Sequence, residues 1–323
     1  MSTYKQIAGT NIEVLSSDPA NPVEGQVWYN STSNTVKANF NNPGSWSTGG
    51  DLNTARKKLG GAGTQTAGLA FGGDGGGAGE VSVTESYNGT SWTEVNDLNT
   101  NRSGIAGTGI QTAALGAGGF QPGVGEVAFT ETWNGTSWTE VNDMNSNFAE
   151  RSSFGTNTAA IVAGGQPPIT GETESWNGTS WTEVNDLNTA RYGLVGGAGT
   201  QTAGLVFGGL APPYTGATES WNGTSWTEVN DLNTSRGFLA GCGATNTAAL
   251  AFGGFAPPTT GATESWDGTS WTEVGDLNTV RQNLAGAGTN TSALGFGGNV
   301  PPPVGAATEE FNAGPQTITF SDS

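Results

Sequence analysis

The sequence predicts an all-β fold because one short unit recurs along most of its length. The stretch TESWNGTSWTEVNDLNTAR, Thr173 to Arg191, returns from Thr218 to Arg236 and, slightly altered, from Thr263 to Arg281. The composition agrees with this prediction: 54 of the 323 residues are Gly, 14 are Pro and only 34% are hydrophobic. Such a composition disfavours long amphipathic helices and favours many short strands joined by turns.

Each copy of the unit contains four candidate strands. In one copy their order is YGLVGGAG, a TQT turn, AGLVFGG, a loop with proline, ATESW, an NGTS turn and SWTEV. Asn-Gly between two strands signals a hairpin whose central residues both take positive φ. Four short antiparallel strands in a period of about 45 residues are typical of a β-propeller blade.

Four signatures occur six times each along the chain. A Trp after Ser opens the last strand of each copy: Trp46, Trp92, Trp138, Trp181, Trp226 and Trp271. An Arg closes each DLNTAR-like turn: Arg56, Arg102, Arg151, Arg191, Arg236 and Arg281. A Gly-Gly pair ends each second strand: Gly73, Gly119, Gly165, Gly209, Gly254 and Gly298. A Glu lies on each third strand: Glu85, Glu131, Glu174, Glu219, Glu264 and Glu309.

This six-fold copying argues against catalysis, since an active site needs different residues in different roles at one place. We expect each Arg to pair with a Glu or with the Asp that opens each DLNTAR-like turn, within or between neighbouring units. The repeated Trp and Arg side chains would then hold the units together.

The four signatures together resemble the kelch repeat, including an aromatic residue on the third strand (Tyr87, Trp133, Trp176, Trp221, Trp266 and Phe311). The resemblance covers residues 45 to 315 and implies a six-bladed kelch-like β-propeller. Gly44 to Thr48 has no preceding TES-like partner, and Thr308 to Phe311 has no following Trp strand. We therefore expect the last blade to be closed by an N-terminal strand around Trp46 with C-terminal strands around Phe311.

The sequence thus divides into an N-terminal arm (1–43), a propeller (44–316) and a C-terminal tail (317–323). Within the arm, GQVWYNSTSNTVKANF, Gly25 to Phe40, predicts a hairpin that turns at NSTSN.

Composition excludes several classes of function. The chain has no His, which removes His-based triads and most zinc or copper sites, and its single Cys242 is expected to be a small core residue. We expect no metal, no cofactor and no enzymatic activity. The net charge of −18 opposes binding to nucleic acid or to an anionic membrane. No long apolar run or signal-peptide pattern is present, so we expect a cytoplasmic product without membrane insertion.

The copies stop matching in the loops between their second and third strands. These loops are Asp74–Ser82, Phe120–Glu126, Gln166–Gly171, Leu210–Gly216, Phe255–Gly261 and Asn299–Gly305. We expect them to leave the sheets at the same face as the DLNTAR connections, where proline stems and aromatic residues offer a rigid contact surface. The alternative is that the prolines only terminate strands and protect edges. The candidate binding residues are Phe120, Pro122, Pro167, Pro168, Pro212, Pro213, Tyr214, Phe255, Pro257, Pro258 and Pro301.

An arm of the form DPANPVEGQVWYNSTSNTVK before such units resembles virion structural proteins of tailed phages, particularly those of marine bacteria. The resemblance implies a non-enzymatic tail, fibre or decoration protein located on the virion. Its partners would be other virion proteins, bound through the arm with Val27, Trp28 and Tyr29 as candidate docking residues, a host-surface glycan or protein, and further copies of the chain. The alternatives are a passive structural spacer and a glycan-cleaving enzyme, which needs two carboxylates roughly 5 to 10 Å apart.

Overall fold

The computed structural model describes residues 12–193, 196–300 and 304–320, and these residues form an all-β structure. The chain divides into two compact units. One unit comprises the residues up to Gly44 together with those from Asn312 onward, and the other comprises Ser45–Phe311. The sequence analysis placed these boundaries at 43/44 and 316/317. The structure continues a single strand through the second of them, to Phe320.

The smaller unit contains the hairpin that the sequence predicts. Its first strands are β1 (Glu13–Leu15), β2 (Val27–Asn30) and β3 (Thr35–Thr48), the last of which continues into the larger unit. β2 is antiparallel to β3, with Asn30 opposite Thr35, and β1 is parallel to β2. Asn34 closes the turn with a φ of 56°, a left-handed conformation that Asn tolerates.

The larger unit contains five four-stranded antiparallel sheets, which we number 1 to 5 along the chain. Sheet 1 consists of β4 (Gly60–Thr64), β5 (Ala67–Phe71), β6 (Thr84–Tyr87) and β7 (Trp92–Val95), with a short 3₁₀ turn at Gly76–Ala78. Sheet 2 consists of β8 (Ala106–Ile110) and β9 (Ala113–Ala117), then, after the separate hairpin β10 (Phe120–Gln121) and β11 (Gly125–Glu126), β12 (Thr130–Trp133) and β13 (Trp138–Val141). Sheet 3 consists of β14 (Ser152–Thr156), β15 (Ala159–Gly165), β16 (Thr170–Trp176) and β17 (Trp181–Val184). Sheet 4 consists of β18 (Gly197–Thr200), β19 (Ala203–Phe207), β20 (Thr218–Trp221) and β21 (Trp226–Val229). Sheet 5 consists of β22 (Ala240–Thr245), β23 (Ala248–Phe252), β24 (Thr263–Trp266) and β25 (Trp271–Glu273).

A sixth sheet uses strands from both ends of the chain. It begins with β26 (Ala285–Gly288), β27 (Ser292–Phe296) and β28 (Thr308–Phe320). In the larger unit the strand order is β26-β27-β28-β3, and in the smaller unit β28 and β3 continue beside β2 and β1. The repeated four-stranded antiparallel sheets confirm the prediction of an all-β, β-propeller-like architecture.

The first strand of each sheet is rich in glycine because these strands approach one another backbone to backbone. A Cβ atom on Gly107 of sheet 2 would lie 2.7 Å from the backbone nitrogen of Gly61 in sheet 1. A Cβ atom on Gly286 of sheet 6 would lie 3.1 Å from the carbonyl oxygen of Gly241 in sheet 5. The first strands of all six sheets line one cavity of about 110 Å³.

The hydrophobic core lies between consecutive sheets. Between sheets 1 and 2, Leu69 and Phe71 pack against Trp133 and Trp138, and the ring centroids of Phe71 and Trp138 are 4.8 Å apart. Equivalent Trp–Phe contacts join sheet 6 to sheet 5 and sheet 1 to sheet 6: Trp46–Phe252 at 4.8 Å and Trp92–Phe296 at 5.0 Å. Because burying one such ring contributes about 2–3 kcal/mol, the repeated Trp residues are a main source of stability.

The Asn-Gly turns differ from the prediction in their backbone conformation. Tyr87 pairs with Trp92, which leaves a four-residue loop between them. In this loop Gly89 has a φ of 90°, whereas Asn88 has an ordinary negative φ. The Oδ1 atom of Asn88 instead accepts the backbone N–H groups of Thr90 and Ser91, each at 2.9 Å. Asn therefore serves this turn as a side-chain acceptor, and the expectation of two positive φ angles was wrong.

Candidate functional site

All six repeated Arg residues are buried in ion pairs with the repeated Glu residues. The N–O distances range from 2.5 Å (Arg56–Glu85) to 3.3 Å (Arg151–Glu174). The other pairs are Arg102–Glu131, Arg191–Glu219, Arg236–Glu264 and Arg281–Glu309. Of the two predicted partners for Arg, the structure selects Glu.

The repeated Asp residues have a different partner, the backbone N–H of the Thr that precedes the repeated Glu on the third strand of their own sheet. The Oδ1 atom of Asp97, for example, accepts the N–H of Thr84 at 3.1 Å. Each Glu also accepts bonds from the connection that carries its Arg: Glu85 Oε2 accepts both the backbone N–H and the side-chain amide of Asn53. The charges of the repeat are thus used to hold the connections between sheets.

The variable loops lie beside the DLNTAR connections, as the sequence predicts. In five copies the residue after the repeated Arg forms a β-bridge with the start of the adjacent loop; Tyr192 pairs with Leu210 and Gly237 with Phe255. In the third copy Ala149 takes this place and pairs with Gln166. The prolines at the tips of these loops are exposed: Pro122, Pro167, Pro168, Pro212, Pro213, Pro257 and Pro258. Pro301 lies outside the described residues.

Four aromatic side chains form a cluster on this face. Tyr214 lies near Phe255 and Phe238, with ring centroids 5.4 and 6.4 Å apart and both ring pairs at about right angles. Tyr192 contacts Phe238 at 6.1 Å. We call Tyr192, Tyr214, Phe238 and Phe255 the aromatic cluster; all four are half-buried. Phe120, 37% exposed, belongs to the β10–β11 hairpin, and no ring contact joins it to the cluster in the part of the chain described.

The sequence reasoning found Tyr214 and Phe255 but missed Tyr192 and Phe238. Tyr192 lies one residue and Phe238 two residues after a repeated Arg, in connections that the sequence analysis assigned to the scaffold. Aligning the copies at the two positions after the Arg would have found them, because these positions vary. Where one copy has Phe238, others have Lys58, Gly104 or Asn283.

The position of Phe238 in each copy belongs to a continuous set of backbone hydrogen bonds. Its six members all have φ angles between 53° and 66°: Lys58, Gly104, Glu150, Gly193, Phe238 and Asn283. The N–H of Lys58 donates to Asn283 O, Asn283 N–H to Phe238 O, and Phe238 N–H to Gly193 O, each at 2.8 Å. Gly104 N–H likewise donates to Lys58 O, and Glu150 N–H to Gly104 O. We call these six residues the belt.

The belt differs in side chains from copy to copy. Lys58 Nζ pairs with Glu150 Oε1 at 2.5 Å, and Gln166 Nε2 donates to Glu150 Oε2 at 3.0 Å. Asn283 is only 8% exposed, and its Oδ1 atom has no hydrogen-bond partner. Lys58, Glu150 and Asn283 line a small cavity of about 10 Å³ beside the belt.

The aromatic cluster lies close enough to the belt for the two to interact electrostatically. Burial raises the pKa of the Tyr192 hydroxyl, the negative charge of Glu150 raises it further, and the positive charge of Lys58 lowers it. Phe238 belongs to both groups, and its ring covers Gly193 so closely that a Cβ there would lie 2.9 Å from it. Phe238 thus joins the aromatic cluster to the belt through the backbone.

The predicted docking residues of the arm have different environments. Trp28 is fully buried, and its Nε1 donates to Asp18 Oδ1 at 3.0 Å, so its ring stabilises the smaller unit and is not available to a partner. Val27 and Tyr29 are half-buried. Within residues 12–44 and 312–320, the exposed large apolar side chains of the smaller unit are Val14, Val23, Ile318 and Phe320.

No model of a protein family matches the chain, and a search of curated proteins gives no match either. Across residues 12–193, 196–300 and 304–320, no helix is long and apolar enough to cross a membrane.

Proposed function

We propose that this chain is a non-enzymatic structural protein of a phage virion, and that its loop face binds the surface of the host cell. The observation that carries the binding half is the aromatic cluster. Six near-identical copies give the molecule a repeated scaffold, yet on this one face the copies differ and bring four aromatic rings together. Half-buried aromatic side chains supply contact area at a small cost in conformational entropy, which is what a binding surface needs.

The scaffold of this proposal is a six-bladed kelch-like propeller that closes by joining sheet 1 to sheet 6. Trp92 Nε1 in sheet 1 donates to Thr308 Oγ1 in sheet 6 at 2.9 Å. The same bond joins consecutive sheets elsewhere, as in Trp138 Nε1 to Thr84 Oγ1 at 3.0 Å. The belt supports closure as well, because Lys58 before sheet 1 bonds to Asn283 before sheet 6. The six-fold kelch-like signatures support the family resemblance.

The virion half of the proposal rests on the resemblance of the arm to phage structural proteins. The smaller unit supports it by exposing four large apolar side chains, Val14, Val23, Ile318 and Phe320, which are available for contact with another protein. We propose that other virion proteins bind there and that the chain is carried on the particle, with further copies beside it.

Adsorption to host cells tests the binding half. The double variant Tyr214→Ala/Phe255→Ala should bind host cells at least tenfold more weakly than the wild type, because each truncation at the centre of an interface costs 1 kcal/mol or more. Ile110→Ala is the matched control. Ile110 is also an exposed apolar residue, but it lies at the end of β8 that is farther from the DLNTAR-like connection and the loop face. Equal adsorption of all three proteins would refute binding through this face.

Incorporation into particles tests the mounting half. Replacing Val14, Val23, Ile318 and Phe320 together by Ser should reduce the copies found in purified virions while leaving the Trp-rich larger unit folded. Unchanged incorporation would refute the proposal that other virion proteins bind the smaller unit through these residues. Electron cryomicroscopy of the particle adds a further check: a loop face covered by other virion proteins would identify the chain as a spacer.

A further inference from the structure

The last strand of the smaller unit has an open edge. The strand order of this unit is β1-β2-β3-β28, so β28 has β3 beside it on one side. On the other side, β27 belongs to the larger unit and has five residues; the N–H of Gly297, just beyond its end, bonds to Ala307 O. β27 therefore accompanies only the beginning of β28. Among the described residues, no strand lies along the outer side of Gln316–Phe320.

Pro315 indicates which residues of β28 direct their backbone towards this edge. Proline cannot donate to a neighbouring strand, so within a sheet its nitrogen faces away from the partner strand. Because backbone direction alternates along a strand, Thr317 and Thr319 also direct their N–H and C=O groups away from β3. Ile318 and Phe320 share one face of the strand and are 40% and 53% exposed. The edge thus combines unused backbone groups with exposed apolar side chains.

This edge lacks the protection that other edges of the molecule have. β1, at the opposite edge of the smaller unit, has three residues and carries Glu13. The last strand of each of sheets 1 to 5 exposes a Glu: Glu94, Glu140, Glu183, Glu228 and Glu273. Charges and short strands at an edge prevent pairing with another chain. Asn312–Phe320 carries no charged side chain, so two copies of a chain with a net charge of −18 can approach here with little repulsion.

We infer that β28 is a self-association site, at which the Gln316–Phe320 edges of two copies pair antiparallel about a two-fold axis at Ile318. The sequence Thr-Ile-Thr reads the same in both directions. Thr317 of one copy therefore lies opposite Thr319 of the other, where the two exchange backbone hydrogen bonds, and the two Ile318 side chains face each other. A two-fold interface requires such self-complementarity, and Thr–Thr pairs stabilise an antiparallel ladder.

This pairing joins two smaller units into one continuous sheet. The far edge of each unit, where Val14 lies on β1, stays free for other proteins. The inference goes beyond the proposed function and does not depend on it, because it concerns the purified chain in solution.

Sedimentation equilibrium of the purified full chain tests the inference. The average mass should rise with concentration from 32.7 kDa towards twice that value. Ile318→Lys should weaken association about tenfold or more, because like charges would face each other across the axis. Val14→Lys is the matched control: it replaces an exposed apolar residue at the opposite edge and changes the net charge equally, so it should associate like the wild type.

Mixing two charged variants tests the two-fold axis itself. Ile318→Glu alone should also stay monomeric, whereas an equal mixture of Ile318→Lys and Ile318→Glu should associate again, because opposite charges then face each other. Recovery in the mixture would also show that both variants are folded. A mixture that stays monomeric would overturn the inference, as would association that Ile318→Lys leaves unchanged.

A wild type that remains monomeric at every concentration would likewise overturn self-association. If Ile318→Lys nevertheless reduced the incorporation of this monomer into virions, the edge would belong to another virion protein instead of a second copy. Loss of host adsorption bears on the loop face and leaves this test unaffected.

Discussion

Arg151 shows that the repeat preserves the position of a charge and not the position of a residue. In the other copies the Arg lies five residues after the repeated Asp, as Arg102 does after Asp97, but the residue five after Asp143 is Phe148. Arg151 starts three residues later and still reaches Glu174 at 3.3 Å, with its guanidinium 5.5 Å from the centre of the Phe148 ring. An unpaired buried Glu is strongly destabilising, so the fold requires a cation beside Glu174. The Arg that supplies it can come from a shifted position in the chain, provided that its guanidinium reaches the carboxylate.

Two Trp residues at equivalent positions of the repeat are equally buried but differ in hydrogen bonding. Trp92 Nε1 donates to Thr308 Oγ1, whereas Trp226 Nε1 is buried without a partner. Trp92→Phe and Trp226→Phe remove similar apolar area, but only the first breaks a hydrogen bond and leaves its acceptor behind. We expect Trp92→Phe to lower the free energy of unfolding by about 1 kcal/mol more than Trp226→Phe. Urea unfolding measures both, and equal losses would contradict this reading.

At the scale of elements, the strands could be predicted and the contacts of the loops could not. Strand positions follow from a repeat whose copies are nearly identical, so an error in one copy is corrected by the other five. Loop residues have no such check. Phe238 and Tyr192 meet Tyr214 from a different connection, and that contact depends on how neighbouring sheets approach. The burial of Trp28 was missed for a similar reason, because Asp18 lies ten residues earlier in the chain.

Some glycines of the first strands are required by neighbouring side chains as well as by the neighbouring backbone. A Cβ on Gly241 of β22 would lie 2.4 Å from the Phe207 ring, whereas a Cβ on Gly77 would meet nothing within 4 Å. Gly241→Ala should therefore cost about 1–3 kcal/mol of stability through overpacking. Gly77→Ala should change stability by no more than about 0.5 kcal/mol. Thermal unfolding compares them, and a tolerated alanine at Gly241 would show that the sheets can separate freely.

The hairpin of the smaller unit should be sensitive to acid. Hydrogen bonds from Lys37, Asn30 and Trp28 lower the pKa of Asp18 from 3.8 to about 2. Because the folded pKa is the lower one, the carboxylate stabilises the hairpin fully above about pH 4 and loses this effect as the pH falls towards 2. Hydrogen exchange at the Trp28 indole N–H should accelerate over this range. The variant Asp18→Asn should show no such transition, and an identical acid profile would contradict the assignment.

On the scale of the whole molecule, the sequence predicts more about the scaffold than about the site. The unmatched strands at the two ends indicate that they share a sheet, and β3 and β28 do so. The belt is invisible in the sequence, since Lys, Gly, Glu, Phe and Asn have no chemistry in common. Its members share a left-handed backbone conformation with positive φ, and only Gly and Asn in a sequence commonly indicate that conformation.

The contact between the first and last sheets should weaken in alkali. Tyr87 in sheet 1 donates its hydroxyl to Glu310 Oε1 in sheet 6 at 2.7 Å. Burial, together with this bond, raises the pKa of Tyr87 from 10.0 to about 12. Because the folded pKa is the higher one, the neutral phenol stabilises the contact below pH 10, and this effect disappears as the pH rises through 12. Stability measured by urea between pH 9 and 12 should fall less steeply for Tyr87→Phe than for the wild type; parallel curves would be evidence against it.

The sequence copy and the structural sheet are out of phase. The copy from Thr173 to Arg191 contributes two strands to sheet 3, and its Arg binds Glu219 of sheet 4. Each junction between two sheets is therefore built by two successive copies: the Arg comes from one copy and its Glu from the next. A duplicated segment of one full period, about 45 residues, would therefore add the same Arg–Glu junction again without creating a new kind of interface. The loops between copies take no part in the Arg–Glu pairs, so their sequences can change one at a time while the repeated scaffold stays the same.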